Sequence, residues 1–219
     1  MNSHDLTYVY HALQTRPRSW AQASATLRDA ASTHLADNEG RLFGVFRSQI
    51  GRPRDELSVI TAWPNGRSIE GEHAFFSSAR DEIVSMDSNA MHPTLRPREF
   101  MPPTRQGNFA FRWFETPVEH FQEFSQLCEG AWPNFESSYD SQVLGLWRME
   151  SQDPAQVKTL LLTRRPDLAM WERSKIPSGE TEREVRRKLT RRYDLCEATW
   201  VFTTTLLTAS DKNDDVNWS

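Results

Sequence analysis

Apolar and polar positions alternate over NFAFRWFETP (108–117), a period of two that predicts a strand closed by a turn. From Val118 to Glu136 the spacing changes. Phe121, Phe124, Cys128, Ala131, Trp132 and Phe135 fall on one stripe of a helix, with a kink or an end expected at Pro133. VLGLWRMES (143–151) and VKTLLLTRR (157–165) read as two strands separated by a polar break at Gln152–Gln156. Pro166 then opens a short helix in the position proline favours. Ile176-Pro-Ser-Gly interrupts it, and Thr181–Tyr193 continues as a charged helix. Ala198–Ala209, rich in Thr, Val, Phe and Trp, predicts the last strand, and Ser210–Ser219 is a polar tail.

The same order occurs once before, 101 residues earlier. Leu6–Gln14 alternates as a strand, and Ser19 caps a helix from Trp20 that ends near Gly40. Leu42–Gln49 and Leu57–Trp63 form a strand pair, and Ser68–Val84 is a second helical region. Leu42-Phe-Gly-Val-Phe-Arg47 aligns with Val143-Leu-Gly-Leu-Trp-Arg148, Gly on Gly and Arg on Arg, with no gap needed between Tyr8 and Glu72. Met86–Arg105 carries four prolines, which exclude a continuous helix. Part of it is expected as an edge strand of the first unit and the rest as the connection. Two copies of one unit are too few for a solenoid and point to a pseudo-twofold protein. The expected division is 1–105 and 106–219.

Each copy reads β-α-β-β-α-β, the split βαβ, ferredoxin-like plan. The fold expected is α+β, with two tandem ferredoxin-like units forming a single-chain pseudo-dimeric barrel, helices outside. Eight Trp and twelve Phe supply large side chains for its core. A net charge of −4 gives no reason to expect a nucleic-acid partner. The basic run Arg183–Arg192 alternates with glutamates and reads as a solvated helix face. Cys128 and Cys196 form no disulfide framework and are expected as free thiols. Neither a signal peptide nor a membrane span is expected, which suggests a cytoplasmic setting. Asn217-Trp-Ser fits a glycosylation pattern without meaning in that compartment.

Several segments together resemble the NIPSNAP-like branch of the dimeric α+β barrel superfamily. They are FAFRWFETP (109–117), the helix ending in AWPNFE, GLWRMES (145–151), QVKTLLLTRRPDLAMWERS (156–174) and LRPREFMPP (95–103). The resemblance covers roughly residues 6–208. Arg112 falls where that family's first strand carries Arg, and His11 takes the place in the first unit. The superfamily includes cofactor-free monooxygenases, isomerases and haem enzymes, so the resemblance implies a fold more firmly than a reaction.

Several common chemistries find no support in the residues, although a site can still assemble from distant positions. Nine scattered glycines build no phosphate loop or dinucleotide fingerprint. No H-E-x-x-H pair, zinc spacing or G-x-S-x-G elbow occurs, so neither a metal nor a cofactor is expected. Polar residues on aromatic strands remain. If the helices cover the Tyr8/Tyr10 and Phe109/Phe111 face, His11 and Arg112 point into the interior between the sheets. They would share a pocket as base and anion holder, with Arg47, Arg148, Trp113 and Trp147 contacting substrate. The expected function is a cofactor-independent oxygenase or isomerase acting on an aromatic or polyketide-like metabolite. The alternatives are a non-catalytic small-molecule-binding protein and, third, a haem protein. A small-molecule ligand is the expected partner, with homo-oligomers possible and no nucleic acid or membrane involved.

Overall fold

The computed structural model describes residues 1–64, 66–150 and 153–211. Eight strands carry the chain: β1 (Thr7–Thr15), β2 (Arg41–Ile50), β3 (Glu56–Trp63), β4 (Ile83–Arg96), β5 (Asn108–Pro117), β6 (Gln142–Met149), β7 (Gln156–Arg165) and β8 (Ala198–Leu206). Their hydrogen-bonded order is β1-β3-β2-β8-β5-β7-β6-β4, and it closes on itself as a barrel. The α+β barrel expected from the pattern is therefore the fold observed. Five α-helices accompany the strands: α1 (Trp20–Ala30), α2 (Ile69–Ser77), α3 (Phe121–Ser138), α4 (Leu168–Arg173) and α5 (Glu180–Asp194). Among the described residues, no helix is long and apolar enough to cross a membrane. The tail expected at Ser210–Ser219, with Asn217, lies almost wholly outside the described residues.

The chain divides into two units that do not meet at a single point in the sequence. The N-terminal unit comprises Asp5–Ala90, Phe100–Gln106 and the chain from Thr204 onward. The C-terminal unit comprises Met1–His4, Met91–Glu99 and Gly107–Thr203. β4 and β8 each give one part to either unit. The proline-bearing β4 was expected at a sheet edge. It is instead a long strand with neighbours on both sides, pairing with β6 through Met91–Arg96.

In the N-terminal unit, β1 and β2 flank β3 in antiparallel register, and one face of that sheet is packed with helices. Val9, Leu13, Leu57 and Val59 from the strands meet Leu27, Phe75 and Phe76 from α1 and α2, all essentially buried. α1 is shorter than its sequence suggested. Past Ala30 the chain makes a wide turn and then a tight one, and the left-handed residue is Glu39 (φ 62°), not Gly40. Gly40 is needed for space, because a side chain there would run into Trp63. Ser19 stands at the start of α1 but makes no capping bond.

The C-terminal unit repeats the plan with a better-formed helix layer. α3 does not end at Pro133 but runs on to Ser138, and its stripe stays intact. Phe124, Cys128, Trp132 and Phe135 are buried against Phe114, Val143, Leu146 and Leu161, as the periodicity required. Pro166 lies just before α4 and not at its first position; Asp167 caps the helix, its Oδ1 accepting from the Met170 N–H at 2.7 Å. Arg191 pairs with Glu123 at 2.7 Å and Lys188 donates to the Gly130 carbonyl at 2.9 Å, which holds α5 against α3.

The strand registers refine the repeat. Thr7 pairs with Trp63 and Asn108 with Arg165, so the first strands correspond at an offset of 101 but the third strands at 102. The ungapped alignment is corrected by one residue entering between β6 and β7. Both second strands carry a bulge at the same place, just before Gly44 and Gly145. There an aromatic two residues on folds over the glycine. A Cβ on Gly44 would lie 2.7 Å from the Phe46 ring, and one on Gly145 would meet the Trp147 indole. The repeated Gly-x-aromatic is thus a bulge signature.

Candidate functional site

The parity of the strands decides which residues can form a site. On β5, Ala110, Arg112 and Phe114 face the helices, whereas Phe109, Phe111 and Trp113 face the other way. On β1, Val9, His11 and Leu13 face the helices. This reverses the expected orientation. Apolar alternation fixes two faces but does not say which one the helices cover, and both faces of these strands are aromatic. His11 and Arg112 do occupy matching positions, but each lies beneath the helices of its own unit. They do not form the shared base-and-anion pair.

His11 is fully buried and satisfied. Its Nδ1 lies 2.8 Å from Ser88 Oγ, its Nε2 lies 2.9 Å from Thr61 Oγ1, and its ring stands edge-on to Phe76 at 4.6 Å. Burial, with a smaller contribution from Arg67, pushes its pKa down to about 3. It is a neutral core imidazole at ordinary pH. Trp63 fills the space beside it, donating from Nε1 to Thr61 Oγ1 at 3.0 Å and packing over Gly40 and Gly71.

The corresponding place in the C-terminal unit is open. A cavity of about 450 Å³ lies between the helix-facing side of β5, β6 and β7 and helices α3, α4 and α5. Its aromatic wall includes Phe114, Trp132, Phe135 and Trp171. Five cationic residues line it, Arg112, Arg165, Lys175, Arg186 and Arg192, and no Asp or Glu does. Thr163 and Arg165 stand where the N-terminal unit has Thr61 and Trp63, by the register offset of 102. Even the hydrogen bond recurs, with Arg165 Nη1 donating to Thr163 Oγ1 at 3.2 Å. An indole that plugs one unit is thus a guanidinium facing a cavity in the other.

Aromatic rings hold these guanidinium groups. Arg165 lies 5.2 Å from the Phe135 centroid and 5.0 Å from that of Trp171. Arg192 lies 4.6 Å from Phe114 and 5.8 Å from Phe124, and its Nη1 donates to Cys128 Sγ at 3.5 Å. Ring quadrupoles offset part of the desolvation of a cation, by up to about 2 kcal/mol when water is excluded. They do not complete its hydrogen bonding. The buried Nε of Arg165 and of Arg192 each have no acceptor among the described residues. Burial, then the neighbouring Arg192 and Arg186, push Arg112 down to about 10; burial, then Arg112, do the same to Arg165. Both remain cations at neutral pH.

The nearby carboxylates are already paired, Glu172 with the rim residue Lys175 at 3.1 Å. Glu115 pairs with Lys158, and Glu123 with Arg191. Glu182 takes two bonds from Arg173, at 2.7 and 2.9 Å, and one from the Ser178 N–H; Arg173 and Ser178 hold its pKa down to about 2. That cluster fixes the chain from Trp171 to Ser178 at the cavity mouth. Lys175, Arg186 and Tyr193 are exposed there as a rim, while Arg165 and Arg192 are buried and Arg112 partly so.

The other expected site residues lie away from this cavity. Arg47 is buried with its guanidinium 3.7 Å over Trp20, and Arg148 is exposed. Trp113 stacks on Trp200 at 6.1 Å, and Trp147 is buried beside Gly145. Of the residues singled out from sequence, the cavity takes only Arg112. It adds Arg165, Arg186 and Arg192, and two of these three lie in the basic run read as a solvated face. The missed signal was position. Arg192 follows Val185 and Leu189 at spacings of four and three, on the helix's one apolar stripe.

No family model matches the sequence, and neither does any curated protein. Solved structures do share the fold. A candidate monooxygenase from Lactobacillus acidophilus NCFM is 10% identical, with a TM-score of 0.60 over 93% of this chain and 97% of that one. An anthrone oxidase-like protein is 10% identical, with a TM-score of 0.59 over 97% of each. A haem-binding protein from Thermus thermophilus is 12% identical, with a TM-score of 0.51 over 92% and 91%. A NIPSNAP family protein from Agrobacterium tumefaciens matches 45% of the chain at 19% identity, with a TM-score of 0.34, too slight to support that branch. The residues around the cavity do not fit a haem. Iron takes His, Cys, Met or Tyr as axial ligand, and the lining offers only Tyr193, which is 60% exposed on the rim. The likeness that stands is one of fold, to the dimeric α+β barrel proteins.

Proposed function

We propose that the C-terminal unit binds an anionic small molecule with an aromatic body. The observation that carries this reading is the charge of one cavity: among the described residues it has five cationic side chains, no carboxylate, and two buried guanidinium Nε–H groups without acceptors. Unpaired buried cations are costly, and an anion that accepts their hydrogen bonds relieves that cost. Phe114, Trp132, Phe135 and Trp171 supply a wall for an apolar ring, and the volume falls within the usual range for small-molecule pockets. Calorimetric titration with 2-naphthoate and with its neutral amide tests the reading. Naphthoate should bind and the amide should bind at least about tenfold more weakly, since a charge-assisted bond contributes more than a neutral one. Equal affinities would remove the basis of the proposal.

Turnover is a second reading, favoured by the monooxygenase and anthrone oxidase-like fold neighbours. The lining holds no carboxylate or imidazole to act as base. Its guanidinium groups would instead lower the pKa of a bound enol or phenol and hold the anion that forms. Oxygen uptake with an anthrone and no added cofactor, lost in Arg112→Met, supports an enzyme. Binding without uptake leaves a binding protein, for which we propose a cytoplasmic setting.

A further inference from the structure

The cavity holds more positive charge than one negative charge can balance. Arg112, Arg165 and Arg192 converge on it, and none forms an ion pair with an acid among the described residues. Arg192 and Arg186 lie close enough to disfavour the charge on Arg112, and Arg112 disfavours that on Arg165. Arg186 adds another cation at the rim, where Lys175 is paired with Glu172 at 3.1 Å. A single carboxylate would neutralise one guanidinium and leave the others in mutual repulsion.

Resting on the anion-binding reading, we infer that the ligand's head group is a dianion, and that a phosphate monoester on an aromatic body is the chemistry this cavity fits. Three features converge on that choice. Phosphate offers three strong acceptor oxygens and close to two charges at neutral pH. Arginine is the side chain best shaped to hold such oxygens in pairs. The unused Nε–H donors belong to two different arginines, on β7 and α5, so more than one acceptor oxygen is wanted.

Comparing 1-naphthyl phosphate with 1-naphthyl sulfate on the intact protein, between pH 5 and 8, tests the head group. The body is the same and only the second charge differs. At pH 7.5 the phosphate should bind at least about tenfold more tightly than the sulfate, a modest return for one added charge near several cations. Its advantage should disappear by pH 5, below the second ionisation of the ester, which lies near about 6. The ionisable groups lining the cavity are Arg112 from β5, Arg165 from β7, Lys175 after α4, and Arg186, Arg192 and Tyr193 from α5. α3 and β6 contribute only apolar side chains to the lining. None of these groups ordinarily changes charge between pH 5 and 8, so the sulfate should bind with the same affinity throughout. Equal affinities for the two esters at pH 7.5 would overturn the dianion and leave the anion site standing. Failure of both esters and of naphthoate to bind would overturn the anion site as well.

Discussion

At the scale of single residues, the cavity arginines are poorly placed for stability. A buried cation without a counter-ion weakens a fold, and replacing it with an apolar group of similar size is often neutral or stabilising. Arg112→Met should therefore leave the melting temperature of the ligand-free protein unchanged or raise it, while weakening naphthoate binding. A destabilised variant would show that Arg112 has a structural partner. His11 gives a prediction of the opposite kind. Its pKa is 6.5 in an unfolded chain and about 3 in the fold, so the unfolded chain takes the proton first as pH falls. The contribution is fully present above about pH 6.5 and is lost as the pH drops toward 3, at up to about 1.4 kcal/mol per unit. Urea unfolding at pH 7 and pH 5 should show a loss of about 2 kcal/mol in the native protein that His11→Gln largely lacks. Equal losses would mean that His11 is not the titrating group. Sequence alone could single out Arg112 and His11, because a charged or titratable residue among aromatics is visible in a string of letters. It could not give their surroundings, because those come from residues far along the chain.

At the scale of elements, the stripe on α3 was legible and the meaning of α5 was not. The α3 stripe is strongly periodic, and its core position follows from that period even across Pro133. Phe124 is fully buried, edge-on to Phe114 at 5.1 Å and stacked on Phe121 at 5.9 Å. Phe124→Ala should cost about 3–5 kcal/mol in denaturant unfolding; a loss below about 1 kcal/mol would contradict the packing. On α5 the apolar stripe is thin, with Val185 and Leu189 among many charges, and Arg192 continues it as a buried cation. A run of Arg and Glu resembles a solvated face whichever side is buried. Only the docking of α5 on α3, through Arg191–Glu123 and Lys188, fixes which arginines turn inward.

At the scale of the whole molecule, one plan appears twice, and the place that Trp63 fills in one copy borders a cavity in the other. The repeat made the fold readable, since strand spacing and the Gly-x-aromatic bulges survive where identities do not. The same regularity hid the site. A one-residue change in offset aligns Trp63 with Arg165, a match that the ungapped alignment misses. The N-terminal unit fills its position with Trp63 and His11, so the chain should bind one ligand and not two. The molecule's net charge is −4, so anion attraction belongs to the cavity and not to the surface as a whole. The most direct test is to follow arginine side-chain Nε–H and tryptophan indole N–H resonances while 2-naphthoate is titrated in. The account predicts saturable shifts at Arg112, Arg165, Arg192, Trp132 and Trp171, fitting one site per chain, with Arg47 and Trp63 unmoved. Shifts centred on Arg47 and Trp63, or no saturable shift among the cavity arginines, would contradict it.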